Sequence, residues 1–354
     1  MNENVIVLTG VTGQDGSNMV DFLLKETDYH IVGCFRRLSV PNDKNVSRHF
    51  SNPRFEKVYF DLTDTASVNS VVKKYQPKYF INFAAQSYVG ASWDIPVATW
   101  NCTATGVLNI LEAIRNESPH TKFYNAGSSE EFGDVLYSPQ DEKHPLRPRS
   151  PYGAAKAAAR HIVKVYRDSY NLFAIQGWLF NHEGVRRGEE FVTRKITKSV
   201  ALIKNALDEG RKPPPMQLGN LESKRDWSDS EDFVKAVWLM MQQQEPKDYV
   251  VASGETHSIR EFLEASFKSA GIEAEATGNE LNSKDLSIAY ILKGDPKTPL
   301  VYVNPNYFRP AEVQLLLGDP TKIEQELGWK RENSFEKLVD KMTQHDILAL
   351  NLES

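Results

Sequence analysis

Two short stretches carry side chains able to move protons. One, Ser150-Pro151-Tyr152-Gly153-Ala154-Ala155-Lys156, opens a predicted helix with Ser150 as N-cap and Pro151 in the first turn. Tyr152 and Lys156 stand at i and i+4, so they share a helix face. A free phenol titrates near about 10 and is a poor base at neutral pH. A neighbouring ammonium favours the phenolate, and the tyrosine can then take a proton from a substrate hydroxyl. The other stretch, Gly127-Ser128-Ser129-Glu130, closes a predicted strand. Ser128 can hydrogen-bond the hydroxyl on which Tyr152 works. Glu130 adds a carboxylate that a simple dehydrogenation does not need, whereas expelling water needs such an acid–base group. Alternation along an extended segment would turn Ser128 and Glu130 one way and Glu131 the other. Taken singly, a YxxxK spacing is common by chance and Glu130 would read as a surface-loop residue. Their shared place after one strand is what gives them weight.

Upstream, Thr9-Gly10-Val11-Thr12-Gly13-Gln14-Asp15-Gly16 leaves an apolar run and enters a helix. Gly10 permits the tight turn, Gly13 lets backbone approach a pyrophosphate, and Gly16 lets the helix pack against the sheet. Thr12, Gln14 and Asp15 complete the candidate cradle, where helix N–H groups favour anions. Three glycines alone would mark only a turn; strand before and helix after make this a dinucleotide site. The second strand ends in Phe35-Arg36-Arg37 with no acidic residue nearby. Two guanidiniums suit a 2′-phosphate, so NADP is the expected cofactor rather than NAD. Asp61 and Leu62 are candidates for the adenine edge, with a helix-capping loop as the plain alternative. Ala84, Ala85 and Gln86 are candidates beside the ribose, with simple packing as theirs.

These groups need a sheet to hold them. Apolar runs at Val5–Leu8, Ile31–Phe35, Lys57–Phe60, Tyr79–Ala84, Lys122–Ala126 and Leu172–Leu179 predict strands. Helices are predicted at Asn18–Lys25, Ala66–Tyr75, Val97–Arg115 and Pro151–Tyr170. Buried strands alternating with helices give an α/β fold: a Rossmann-type, doubly wound parallel sheet. Beyond Asn181 the pattern loosens into helices near Val192–Leu207, Asp232–Gln243, Ile259–Ala270 and Thr321–Leu327, separated by polar, proline-rich passages such as Arg211–Pro215 and Asn279–Pro299. The expected division is a cofactor domain over 1–180 and a smaller mixed α/β substrate lobe over 181–354, covering the sheet's carboxyl edge. A segment near 230–255, around Tyr249–Ala252, is expected to return to the first domain.

With 354 residues, 40% hydrophobic and 25% charged, the composition is that of an ordinary globular protein. A net charge of −5 offers no general attraction to nucleic acid or an anionic membrane, so an anionic ligand needs a local basic cluster. No apolar stretch is long enough to cross a bilayer, and no basic region precedes Val5–Leu8 as in a signal peptide, so a cytoplasmic location is expected. Cys34 and Cys102 form neither a disulfide framework nor a CxxC pair, and no metal site is expected. Both read as buried small hydrophobes.

These motifs resemble the extended short-chain dehydrogenase/reductases and, among them, nucleotide-sugar dehydratases of the GDP-mannose 4,6-dehydratase type. The likeness runs through TGVTGQDGSNMVDFLL, FRR, AAQSYVGASW, SSEEFG, RSPYGAAKAAA, LFNHEGVRRGEEFVTRKI, LGNLESKRDW and YFRPAEV. The glycine and YxxxK patterns mark only the superfamily; NHExxRRGxxFVTRKI with GNLxxKRDW is far narrower. The resemblance implies catalysis by Ser128, Glu130, Tyr152 and Lys156. It adds His182 to the cofactor contacts. It implies GDP-sugar contacts at Ser87, Ser128, Glu130, Asn181, Val192, Lys195, Leu218, Gly219, Arg225, Arg309 and Glu312. The implied reaction is NADP-dependent dehydration of GDP-mannose to GDP-4-keto-6-deoxymannose, in a homodimer or homotetramer. Elementary chemistry agrees in kind, since a nucleotide diphosphate needs cations such as Lys195, Arg225 and Arg309. Taken singly, each of these reads as ordinary surface charge. Departures include Ser128 where threonine is usual, Phe132 where tyrosine is common, and differences at Leu38–Arg48, Arg211–Pro215 and Asn279–Pro299. The alternatives are the same reaction on a GDP-heptose or CDP-glucose, a nucleotide-sugar reductase or epimerase, and, last, a non-catalytic NADP sensor.

Overall fold

Strand β1 (Asn2–Thr9) buries side chains of alternate parity against two different layers. Ile6 and Leu8 join one apolar cluster, while Val5 and Val7 join another. A strand buried on both faces is what the near-continuous apolar run implies. The computed structural model describes residues 2–278, 285–308 and 316–353. The chain falls into two compact units. Unit 1 comprises Met1–His182, Ser230–Gly254 and Leu317–Arg331; unit 2 comprises Glu183–Asp229, Glu255–Leu316 and Glu332–Ser354.

In unit 1, β1 is followed by α1 (Gln14–Glu26), β2 (His30–Phe35), β3 (Phe55–Tyr59), α2 (Thr65–Tyr75) and β4 (Pro77–Asn82). Next come α3 (Pro96–Trp100), α4 (Gly106–Glu117), β5 (Lys122–Ala126), α5 (Pro151–Tyr170) and β6 (Ala174–Leu179). With strand Val250–Val251, these make a seven-stranded parallel sheet ordered Val250–Val251, β6, β5, β4, β1, β2, β3. The strand order reverses between β1 and β4, and ligands of such sheets bind at that switch point. Helix α1 and helix Ser230–Met241 cover the Ile6 face, with Met19, Leu23, Phe233 and Val237 in its core. Helices α2, α4 and α5 cover the Val7 face through Val68, Ile110 and Val163. The segment Leu317–Arg331 joins the first layer through Ile323 and Trp329, whose indole N–H donates to the Asp232 carbonyl at 3.0 Å.

One row of polar side chains interrupts the Val7 face at its carboxyl end. Thr9, Asn82, Asn125 and Gln176 are neighbours in register on β1, β4, β5 and β6, and none is more than 1% exposed. The Thr9 hydroxyl donates to Asn82 Oδ1 at 2.5 Å. Asn82 Nδ2 donates to Asn125 Oδ1 at 2.7 Å, and Asn125 Nδ2 donates to Gln176 Oε1 at 2.7 Å. Every bond in the row points the same way.

Two expectations about elements need correction, and one element is an addition. The predicted helix Val97–Arg115 is α3 and α4 joined by one π-helical turn at Asn101–Thr105. Its exit, Gly106, is a point of close approach, since a Cβ there would lie 2.8 Å from Leu62 Cβ. Of the passage Asn279–Pro299, residues 279–284 lie outside the described residues, and the rest is more regular than its polar residues suggested. Within its described part and beyond, Ser287–Leu292 pairs antiparallel with Asp295–Val303, and register shifts at Tyr290–Leu292 accommodate Pro299 opposite Ile291. The helix Phe335–Glu353 was not foreseen at all. Unit 2 packs it with helices Val192–Asp208 and Ile259–Ser269 around Ile196, Phe262, Leu338 and Met342. No helix among the described residues is long and apolar enough to cross a membrane.

The buried row sets the first stability prediction. Asn125→Ala strands a donor on Asn82 and an acceptor on Gln176, each costing about 1–3 kcal/mol when buried unsatisfied. The urea midpoint should fall accordingly; an unchanged midpoint would mean the row contributes nothing.

Candidate active site

The glycine turn has the steric form a dinucleotide cradle requires. Gly10 sits at φ +70, and a Cβ there would lie 2.9 Å from Ala84 N. A Cβ on Gly16 would lie 2.2 Å from the Gly10 carbonyl oxygen, so α1 can start this close to β1 only without a side chain. Gly13 would meet only that carbonyl, at 3.3 Å, leaving its other side open. The Gln14 amide donates to the His182 carbonyl at 3.1 Å, and His182 Nε2 lies 2.8 Å from Asp15 Oδ2. The start of α1 is thereby clipped to the chain just past β6, which brings the candidates Gln14, Asp15 and His182 together. Thr12 accepts at its carbonyl from Asn45 Nδ2 at 3.0 Å.

Arg36 and Arg37 both stand exposed at the tip of β2. Asp61 spends Oδ1 on the Thr63 N–H and hydroxyl, at 2.9 and 2.7 Å, forming the turn into α2. Leu62 is buried and its carbonyl accepts from Asn109, so its side chain packs rather than faces solvent. Ala84 N–H donates to Thr9 Oγ1 at 3.2 Å, which ties the end of β4 to the polar row. The Gln86 amide is held by Tyr88 and Thr99, at 2.7–3.1 Å, and Ser87 beside it is exposed.

At the end of β5 the chain turns at once into a 3-10 turn, Ser129–Glu131. The expected extended alternation of Ser128, Glu130 and Glu131 therefore does not hold; the turn itself separates the two glutamates. Glu131 is wholly buried and meets Arg160 Nε at 2.5 Å, while Glu130 is half-buried beside it. Glu130 N–H donates to Ser128 Oγ at 3.2 Å. Because that oxygen accepts, the Ser128 hydroxyl proton is left to donate elsewhere.

Helix α5 starts as expected, with Ser150 Oγ accepting from Gly153 N–H at 3.0 Å and Pro151 in the first turn. Gly153 lets the helix rest on this turn, since a Cβ would lie 2.6 Å from the Glu130 carbonyl. Tyr152 is 7% exposed, and Lys156 Nζ stands 5.8 Å from its ring centre. Lys156 Nζ also donates to the Ala126 carbonyl at 2.6 Å, so one ammonium links α5 to the end of β5. Burial pulls the Lys156 ammonium down to about 8, opposed chiefly by the charge of Glu131. The four candidate catalytic residues thus share one sheet edge.

A family model described as GDP-mannose 4,6 dehydratase matches residues 7–342. A Drosophila melanogaster GDP-mannose 4,6 dehydratase is 42% identical over 98% of this chain and 86% of its own length. The Vibrio cholerae GDP-mannose 4,6-dehydratase is 42% identical over 98% of this chain and 94% of its own. The chain belongs to the GDP-mannose 4,6-dehydratase family. Among solved structures it is similar to Thermus thermophilus UDP-glucose 4-epimerase in complex with NAD, at 25% identity and TM-score 0.76, covering 97% of this chain and 98% of that one.

Much of the motif that singles out this family is structural. In unit 2 the Glu183 carboxylate accepts from the Thr193 hydroxyl at 2.6 Å and meets Arg187 Nε at 3.0 Å. Arg194 pairs with Asp346 at 2.7 Å, and the Thr197 hydroxyl donates to the same carboxylate at 2.6 Å. Val192 begins the helix so held, and Lys195 places Nζ 4.5 Å from the Tyr307 ring centre. Gly219, after the buried Leu218, lies against the same residue: a Cβ there would be 3.0 Å from the Tyr307 carbonyl. Structure thus brings Lys195 and Gly219 to Tyr307, an exposed residue that the sequence reading assigned no role, while Leu218 is buried in the core and accepts at its carbonyl from the Asn304 N–H at 2.8 Å. The place of Tyr307 beside the FRP motif was the available signal. Arg225 lies on strand Lys224–Arg225, which pairs antiparallel with His257–Ser258. Arg309 and Glu312 lie outside the described residues. Cys34 is buried as expected, but Cys102, on the π turn, is only half-buried.

Asn181, in unit 1, has a buried Oδ1 with no hydrogen-bond partner among the described residues. A buried acceptor without a donor destabilises the free protein and suits a ligand hydroxyl. Asn181→Leu should therefore leave the unfolding midpoint unchanged or raise it, while kcat/KM falls. A lowered midpoint would show that the amide serves the fold instead.

Proposed function

We propose that the chain catalyses the NADP-dependent 4,6-dehydration of GDP-mannose to GDP-4-keto-6-deoxymannose. The observation that carries this reading is the Ser128–Glu130 turn beside Tyr152 and Lys156, a carboxylate and a hydroxyl added to a dehydrogenase pair. Family membership over nearly the whole chain supports the substrate.

The chain's own residues fit a dinucleotide. Gly10 and Gly16 allow a tight strand-to-helix turn that Cβ atoms would block, Gly13 leaves its outer side open, and Gln14 Oε1 is buried there without a partner among the described residues. The exposed Arg36 and Arg37 suit a 2′-phosphate. When bound, NADP supplies a reversible hydride acceptor: hydride leaves sugar carbon 4 first and returns to carbon 6 last.

Tyr152, favoured as phenolate by the Lys156 ammonium, takes the proton of the carbon-4 hydroxyl. The ketone so formed acidifies the hydrogen on carbon 5. Glu130 removes that proton, and the carbon-6 hydroxyl departs as water, protonated from Glu130. The Ser128 hydroxyl donates to sugar oxygen during these steps. Carbon 5 regains a proton, the one Tyr152 took from the carbon-4 hydroxyl, as carbon 6 regains hydride, so the net change is loss of one water and the cofactor is unchanged. In unit 2, Lys195, Gly219 and Arg225 are the proposed contacts for the nucleotide.

Incubation with GDP-mannose and catalytic NADP, read by mass spectrometry, should give a product lighter by one water with no stoichiometric NADPH use. Glu130→Gln should nearly abolish that product while retaining bound NADP. Undiminished turnover in that variant would remove Glu130 from the mechanism, and net consumption of NADPH would make the enzyme a reductase. The double variant Arg36→Ala/Arg37→Ala should weaken NADP at least about tenfold with NAD little affected, since each charge-assisted bond contributes about 1.5–3 kcal/mol. Equal losses for both cofactors would refute the 2′-phosphate role.

A further inference from the structure

We propose that Glu131, which touches no reacting atom, is the positioning residue of the active site, acting as the anionic terminus of the hydrogen-bonded row that crosses the sheet. The inference rests on the dehydratase reading and adds to it a residue outside the four candidate catalytic groups.

The carboxylate of Glu131 is fully buried and surrounded by donors. Oε1 accepts from the Ser128 backbone N–H at 2.8 Å and from Gln176 Nε2 at 3.0 Å. Oε2 accepts from Arg160 Nε at 2.5 Å, and Arg160 Nη1 donates to the Gln176 carbonyl at 2.7 Å. The conformation of the Ser128–Glu130 turn is therefore held from beneath by its own next residue. Gly127 has no room to yield: a Cβ would lie 2.2 Å from the Gly177 carbonyl and 2.7 Å from both Arg160 Nη2 and Glu131 Oε1.

Charge at this end also dictates the order of the row. An ionised carboxylate can only accept, so Gln176 must present Nε2 to it. Gln176 Oε1 then faces Asn125, which must present Nδ2, and the same constraint passes to Asn82 and to the Thr9 hydroxyl. Thr9 Oγ1, its proton committed, is left to accept Ala84 N–H at the end of β4, next to the Gly10 turn. Bonds aligned in one sense polarise one another. One buried charge thus orders side chains from the catalytic turn to the proposed cofactor crevice. Gln176 Nε2 also donates to the Lys156 carbonyl at 3.1 Å, which fixes the turn of α5 that carries the catalytic lysine.

Glu131 acts on Lys156 electrostatically as well. Burial lowers that ammonium to about 8, Glu131 gives the largest opposing effect, and Cys102, Asp15 and Arg160 act more weakly. Lys156 is cationic below this value and neutral above it, so activity that needs the cation falls as pH rises through about 8. Removing the Glu131 charge lowers it further, and the alkaline limb of the rate profile moves to lower pH.

Two variants test the idea in the full-length enzyme: Glu131→Gln, and Gln176→Leu, which cuts the row but keeps the Glu131–Arg160 pair. Bound NADP and circular dichroism report folding. In both, kcat should fall by about 10–100-fold with KM for GDP-mannose nearly unchanged, the loss expected when a reacting group is misplaced by about an ångström. Glu131→Gln should also shift the alkaline limb to lower pH, a change that a merely structural residue would not cause. Wild-type kcat and pH profile in a folded Glu131→Gln, with dehydration intact, would overturn the positioning role alone. Should Glu131→Gln not fold, Gln176→Leu decides: reduced kcat supports the proposal, and unchanged kcat overturns it. Wild-type protein that fails to dehydrate GDP-mannose would instead overturn the reading on which it rests.

Discussion

A single row of hydrogen bonds between Thr9, Asn82, Asn125 and Gln176 conditions everything at the carboxyl edge of the sheet. Parallel strands buried on both faces are normally apolar throughout. Here the layer across four adjacent strands, β1, β4, β5 and β6, is polar, and it lies just beneath the turns that hold the candidate site. Apolar packing would leave those side chains several rotamers, whereas a satisfied amide row leaves one arrangement. The sheet thereby gains geometric definition where the glycine turn, the end of β4 and the Ser128 turn all begin.

Such a layer brings charge into the interior. Isolating an ionised carboxylate from water costs several kcal/mol even after relaxation, and a buried pair gains little net stability over an apolar one. The Glu131–Arg160 pair is therefore poorly explained as a source of stability. Its hydrogen bonds are distributed instead over the Ser128 backbone N–H and the Gln176 amide, which donate to Glu131, and the Gln176 carbonyl, which accepts from Arg160; all three need fixed directions. Lys156 follows the same logic: it stays buried by donating to the Ala126 carbonyl, and burial is what brings its ammonium near neutral range.

Most of unit 1 was legible because its elements obey simple periodicities. The apolar strands, the glycine turn and the Ser150–Pro151 helix start all fall within a few residues of their predicted positions. What was missed has identifiable causes. A π turn keeps helical composition, so Asn101–Thr105 could not be told from the helix around it. The hairpin Ser287–Leu292 with Asp295–Val303 hides behind Pro296, Pro299 and charged residues, tolerated because its register slips. Glu131 looked like the redundant neighbour of Glu130. Only tertiary contacts with Arg160 and Gln176, 29 and 45 residues away, separate the two.

The same distinction between holding and touching explains why one motif is so narrow a family marker. Between Asn181 and Ile196, Glu183, Arg187, Thr193 and Arg194 are all spent on internal hydrogen bonds and ion pairs. Arg194 and Thr197, three apart, pin one face of helix Val192–Asp208 to Asp346. Lys195 is one residue on from Arg194, about 100° around a 3.6-residue helix, and so escapes that face and reaches the Tyr307 ring. Half buried, its ammonium is held below the usual lysine range, a state that an incoming anion would reverse. A free lysine on an exposed helix could be supplied by many sequences. A lysine aimed by two buried partners on its neighbours requires the whole set, and that requirement is what the motif records.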